Sequence, residues 1–364
     1  VKLPASLEKI ERKSFFYNKL ISVTFPSSLT YIGDEAFHGN ELSSLTFPES
    51  LEGIGFKAFI GEPDFPGNKL KGSLILPNAL RFIGDRAFAN NGLTSLTLPT
   101  TLQLIGEGAF EKNQLTSLTL PATLTHMRKF AFSKNALVSV NIPKSLTDIS
   151  ESAFSFNKLS TLIFPKSLTD IGKTAFYNNE LMDITFERNS KVVSIGESAF
   201  ENNKLSSVVI PPFVLKISWR TFAHNNLTSV TFPKNLQSIG PWAFASNDLT
   251  SLTLPENILR IGSFAFYKNK LSSLTLPNLL ESIGDNAFCI NNLTSLILPE
   301  SLLQIGIKAF ANNELTSVTF SDNSATILAA AFRNNNLNEI RVPKSIQFKG
   351  NSGNFDEKTL VILI

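Results

Sequence analysis

The chain has 364 residues, 43% of them hydrophobic and 17% charged, and a formal net charge of +3. That composition describes an ordered, packed chain, and neither a basic run nor a zinc-ligand spacing points to nucleic acid. One cysteine, Cys289, excludes a disulfide framework within the chain, and no run of 18 apolar residues marks a membrane span.

The first four residues, Val1-Lys2-Leu3-Pro4, match the end of a unit that recurs along the chain; the unit itself is plain in residues 93–121. It reads L-x-S-L-x-L-P-x-x-L-x-x-I-G-x-x-A-F-x-x-N-x. Its Ala-Phe phenylalanine falls at fifteen positions from Phe15 to Phe332, in steps of 22 residues with two exceptions. The step is 29 between Phe59 and Phe88 and 24 between Phe176 and Phe200, so residues 61–68 and 187–191 read as inserted loops. A fixed period of this kind specifies a repeat solenoid, in which each copy packs on its neighbours. It overrides the two or three domains that length alone suggests, and we assign residues 1–350 to one array. Because the chain starts in the middle of a unit, we expect further sequence upstream.

Within a unit, Ser95-Leu96-Thr97-Leu98 alternates with period two, the signature of a strand with its leucines inward and its hydroxyls outward. Strands of successive copies should stack in parallel about 4.8 Å apart. Proline ends the strand in most copies, as at Pro26, Pro48, Pro77 and Pro99. A short extended piece then carries two anchors, Leu102 and Ile105, before Gly106, which we read as permitting a tight turn. Residues 107–112 read as one short helical turn presenting Ala109 and Phe110 to the interior. The asparagine that follows, from Asn18 to Asn335, suits a structural ladder, since an amide can both donate to and accept from the backbone of stacked loops. The last copy decays: Lys349 stands where isoleucine belongs and Phe355 is one residue late. Residues 351–364, with a strand-like tail at 359–364, read as a degenerate cap or a truncated repeat.

This unit resembles the BspA-like, treponemal-type leucine-rich repeats of bacteria, over nearly the whole chain. Many members carry cysteine where this chain carries asparagine. The resemblance implies a curved leucine-rich-repeat solenoid of about 15 repeats, with a parallel β-sheet on its concave face and short extended pieces and helical turns behind. It also implies a secreted or surface-attached protein, typically an adhesin for host matrix proteins or other bacteria. It brings no catalytic residues and no cofactor.

The residues point the same way on catalysis. His38, His126 and His224 lie in different copies, with His38 and His224 expected in solvent, and no H-E-x-x-H, G-x-S-x-G or phosphate loop occurs. Cys289 reads as a tolerated surface or half-buried thiol. We expect neither an enzyme nor a metal site. The strand face offers mainly Ser and Thr, which suits an exposed strand and lacks the Trp, Tyr and Arg anchors typical of binding hot spots.

Such anchors gather elsewhere. Trp219 and Trp242, the only tryptophans, fall in adjacent copies just before Ala-Phe or its equivalent, and Phe264 continues the position of Trp242. Phe213 and Leu215 replace polar residues in the copy of Trp219, and Tyr267 lies close by. Stacking should join these six into one apolar patch. It serves either a partner or self-association, or the rings merely cover the core. Phe65, in the first insertion, is a further candidate on a protruding loop. The reading is a non-enzymatic surface or secreted adhesin that recognises host matrix or bacterial surface proteins. A self-assembly module of a larger surface protein is the alternative. Neither nucleic acid nor membrane insertion enters either reading.

Overall fold

The computed structural model describes residues 1–62, 67–322, 324–350 and 353–364. Phe65 lies outside them. The chain forms two units, Val1–Asn189 and Ser190–Ile364. Each is a parallel β-solenoid, and no helix occurs among the described residues.

Two ladders run through each unit. The predicted strand is present: Gly92–Thr97 buries Leu93 and Leu96 and exposes Ser95 and Thr97. It does not stack without interruption, as the repeat suggested, but pairs mostly in twos. In the first unit Lys71–Ile75 pairs with Gly92–Thr97, Ser117–Thr119 with Ser139–Asn141, and Thr161–Phe164 with Asp183–Phe186. Within one such pair, Asn141 extends the pairing with its side chain. Its side-chain amide takes both backbone groups of Leu120, accepting from the N–H at 2.9 Å and donating to the carbonyl at 3.1 Å.

The longer ladder belongs to two-residue strands ending on the isoleucine column, which the sequence marked only as an extended piece. In the first unit it joins Lys9–Ile10, Tyr31–Ile32, Gly53–Ile54, Phe82–Ile83, Leu104–Ile105 and His126–Met127. In the second it runs from Lys216–Ile217 through Ser238–Ile239, Arg260–Ile261, Ser282–Ile283, Gln304–Ile305 and Thr326–Leu328 to Gln347–Lys349. In that last pairing Phe348, not Lys349, stands opposite Ile327. An apolar residue therefore continues the column in register, although Phe348, like Lys349, is exposed at this last strand. Phe355 likewise continues the ring column, 5.6 Å from Phe332, and Leu360–Leu363 pairs with Glu339–Val342.

The expected helical turn at 107–112 is absent, for a reason that recurs in almost every copy. The second residue after the Gly and the second after the Phe adopt left-handed backbone, as at Arg86 (φ 55°) and Asn90 (φ 56°). A right-handed helix cannot contain them. Alternate N–H groups turn along the stack instead: Arg86, Phe88 and Asn90 donate to Glu107, Ala109 and Glu111 of the next copy at 2.7–2.9 Å. The intervening Ala87 and Ala89 close their own turns on Gly84 and Arg86. Every peptide group in the tight segment thus finds a partner, as burial requires.

Gly106 also has a role other than the one expected. Its backbone is not left-handed; a Cβ there would lie 2.5 Å from the Asp85 nitrogen. Glycine marks the close approach of one copy to the last. Serine replaces it at Ser150 and Ser218, where the hydroxyl donates to the carbonyls of Met127 and Ile195 at 2.7 and 2.8 Å.

The core is a column of rings. From Phe37 to Phe176 in the first unit, and from Phe200 to Phe332 in the second, the column phenylalanines are fully buried. Neighbours such as Phe110 and Phe132, or Phe288 and Phe310, stack at 5.4 and 5.3 Å with planes within 5°. Offset stacking at that spacing adds about 0.5–1.5 kcal/mol per pair beyond the area removed from water.

Candidate protein-interaction site

The asparagine column can be set aside as structural. Asn113 accepts from the Leu93 N–H of the preceding copy at 3.1 Å and donates to the carbonyls of Phe88 and Phe110 at 2.9 and 3.2 Å. Each such amide is spent on the backbone. Cys289 is buried rather than at the surface, with the Asn312 amide 3.5 Å from its sulfur. His38 is also buried, contrary to the solvent position expected, because the first insertion folds Glu62 onto it. Their contact is 2.5 Å, and Phe16 and Tyr17 pack on the imidazole. His126 and His224 are exposed. Among the described residues no group of His, Cys, Asp and Glu could hold a metal ion.

The aromatic candidates sit on the tight turns of the second unit. Trp242 and Phe264 occupy the left-handed position of adjacent copies, both at φ 60°. Bulky residues seldom adopt that backbone. Here it is held by bonds from their own N–H groups to Ser263 and Asp285, at 2.9 and 2.8 Å. Being in the same column, the two rings stack at 4.1 Å and 8°. Tyr267 closes on both edgewise, at 5.8 Å from Trp242 and 5.5 Å from Phe264. All three are half-buried.

Trp219 is one position earlier in its turn, is 39% exposed, and joins the trio indirectly. The Arg220 guanidinium lies between the indoles, 4.6 Å from the Trp219 ring and 5.2 Å from the Trp242 ring. Its Nη1 donates to the buried carboxylate of Glu201 at 3.2 Å. The cation therefore braces Trp219 from behind, an arrangement of charge over π faces that is favourable in itself. Sequence reasoning missed Arg220 and Glu201, since a charged pair in variable columns carries no signal of its own.

Phe213 and Leu215, 57% and 43% exposed, come from the segment between Pro211 and Ile217. Phe213 makes no ring contact with the cluster among the described residues. The same segment in later copies adds Leu259, Leu279 and Leu303, all exposed.

On the strand face of the first unit, a groove of about 700 Å³ opens where Ser139–Asn141 and Thr161–Phe164 are not paired. Thr119, Asn141, Lys144, Ile163 and Glu187 line it. The wider face is hydroxyl-rich, with Ile75 and Ile163 exposed among the threonines.

Parallel strands, an interior of leucine, isoleucine and stacked phenylalanine, and an asparagine at each turn define a leucine-rich-repeat solenoid. The family described as the BspA type leucine rich repeat region (6 copies) matches five overlapping stretches, residues 1–66, 59–183, 128–249, 171–292 and 238–359, and the chain belongs to that family. Repeats of this type serve protein–protein interaction and are generally non-catalytic scaffolds. Comparison with curated proteins gives no sequence match. Among solved structures, a leucine-rich repeat protein from Bacteroides ovatus is 22% identical over all of this chain and 91% of its own, with a TM-score of 0.58. That likeness establishes the fold alone. One from Eubacterium ventriosum is 23% identical over 79% of this chain and 86% of its own, with a TM-score of 0.46. YopM from Yersinia enterocolitica is 22% identical over 97% and 83%, at 0.47.

Proposed function

We propose that the chain is a non-enzymatic adhesin-type module at a bacterial surface or secreted, which recognises a host extracellular-matrix protein or a bacterial surface protein. The second unit carries the recognition. The observation behind this reading is Trp219, exposed at its outer face while the Arg220–Glu201 pair fixes its inner one. A large ring already held in place loses little freedom on binding, which is why Trp and Arg dominate interface hot spots. Trp242, Phe264 and Tyr267 supply a firm base beside it, and Phe213 and Leu215 extend the apolar surface. Phe65 remains a separate candidate.

The test is binding of the chain to immobilised fibronectin and fibrinogen, with Trp219→Ser/Trp242→Ser alongside and circular dichroism to confirm folding. Binding that falls about 30-fold or more in the variant, the scale of a hot spot, supports the reading. Binding that persists unchanged moves recognition to the strand face or to the first insertion at residues 61–68. Absence of binding by either protein counts against a matrix adhesin. Concentration-dependent dimerisation abolished by Trp219→Ser would turn the same surface into a self-assembly contact.

A further inference from the structure

In each copy, one residue sits two positions before the ladder isoleucine. In the second unit these are Val193, Leu215, Gln237, Leu259, Glu281, Leu303 and Ala325, of which the five from Leu215 to Leu303 matter here. Their backbones are bonded in strict succession: Gln237 to Leu215, Leu259 to Gln237, Glu281 to Leu259 and Leu303 to Glu281, at 2.8–2.9 Å from N–H to carbonyl. The side chains therefore form one straight row. Leucine recurs at every second copy, and the three leucines are 43%, 36% and 61% exposed. The core does not need them, since Ile217, Ile261 and Ile305 beside them are already buried. The first unit has no such residues: its row reads Glu8, Thr30, Glu52, Arg81, Gln103, Thr125, Thr147 and Thr169.

The spacing selects an occupant. Two copies of a parallel ladder span about 9.6 Å. Seven residues of an α-helix rise about 10.5 Å, so a helix laid along the row meets a leucine every two turns. An extended strand, repeating about every 6.7 Å on one face, falls out of step. A polyproline helix has a similar rise per three residues but docks on aromatic grooves, and this row is aliphatic. Lys216 and Arg260 follow Leu215 and Leu259 directly and are exposed; Arg260 meets Glu281 of the row at 3.9 Å, a solvent-exposed pair of small net worth that a partner carboxylate can replace, so the helix that fits carries acidic residues beside its apolar stripe. Phe213 and Leu279 broaden the apolar track on one side, and Val193 extends it by one copy.

We propose that Leu215, Leu259 and Leu303 dock an amphipathic α-helix of a partner protein, with apolar residues at i, i+7 and i+14 flanked by Asp or Glu. This deepens, and rests on, the reading of the second unit as the binding unit.

The probe is a stapled helical peptide with leucines at i, i+7 and i+14 and glutamates beside them. A control peptide has the same composition with its leucines distributed around the helix. Fluorescence anisotropy is read against the full chain and against Leu215→Thr/Leu259→Thr/Leu303→Thr, which installs the residue type that the first unit carries. The expected result is binding of the patterned peptide that weakens about tenfold or more both in the control peptide and in the variant. Equal binding of both peptides, binding unchanged in the variant, no binding in the millimolar range, or tighter binding of a Pro-rich peptide would each overturn the proposal. So would a dimer of the chain that the variant dissociates, since the row would then face a second copy. The variant keeps Trp219 and Trp242. If it loses the helical peptide but retains fibrinogen, the row and the tryptophans are separate surfaces. If fibrinogen binding depends on Trp219 and no helix binds, only this inference fails.

Discussion

The two units share an interior and differ at the segment between proline and isoleucine. In the first unit the second residue after the proline is usually Ser or Thr, and its hydroxyl bonds the preceding copy. Ser28 reaches Ala5 and Leu7; Thr101 reaches Asn78 and Leu80; Thr123 reaches Thr100 and Leu102, all at 2.7–2.9 Å. Thr30 and Thr169, two positions further on, bond Glu8 and Thr147 at 3.0 Å. In the second unit Ser301 keeps such a bond, to Leu280 at 2.8 Å, but Phe213 and Leu279 take the hydroxyl place in two other copies, and Leu215, Leu259 and Leu303 take the threonine place. The backbone ladder is the same in both. A copy that gives up the hydroxyl bond thus gains an apolar exterior while its backbone ladder is kept.

If that is right, damage to the shared interior should be equal in the two units. Phe110→Ala and Phe244→Ala each remove a fully buried ring and should each destabilise by about 3–5 kcal/mol in chemical denaturation. A large inequality would break the comparison. Next in size, Asn113→Ala and Asn269→Ala should each cost about 1–3 kcal/mol, because a leucine N–H and a phenylalanine carbonyl lose their buried partner. Smaller effects sharpen the contrast at the edge. Thr123→Val should cost about 1 kcal/mol in the first unit. Leu259→Thr in the second should change stability by only about 0.5 kcal/mol or less, because an exposed side chain is exchanged. One expected change is a gain. Lys112→Gly relieves left-handed backbone (φ 55°) and should be neutral or stabilising by up to about 1 kcal/mol, read as a rise in Tm.

The period made the solenoid, the inward leucines and the asparagine ladder legible, since each is a residue type fixed by burial or by hydrogen-bonding capacity. The tight turn was not legible. Its left-handed positions are filled by Arg86, Lys112, Ser152 and Trp242, which in sequence look like ordinary helix-surface residues. Only the bonds to the next copy compensate for that backbone, and those bonds are made by main chain that every residue shares. The glycine column misled for a similar reason: both a turn and a close approach call for glycine. At the candidate site, the two tryptophans stood out by rarity and column, and Trp242 with Phe264 does stack. The wedge of Arg220 between the indoles depends on side-chain direction at neighbouring turn positions, which column spacing does not encode. Exposed leucines such as Leu259 and Leu303 were hidden by the repeat itself, where another leucine attracts no notice.

The side-chain amide of a column asparagine such as Asn113 ties its own copy to the copy before it. The junction is thus the same chemical joint repeated, with one polarity. An array built this way can lengthen or shorten by unequal recombination in steps of 22 residues, and every new junction arrives already satisfied. Surface features such as the tryptophan pair can then be carried along the stack, duplicated or lost without the interior being redesigned, so a lineage can change what it grips faster than it changes how it folds.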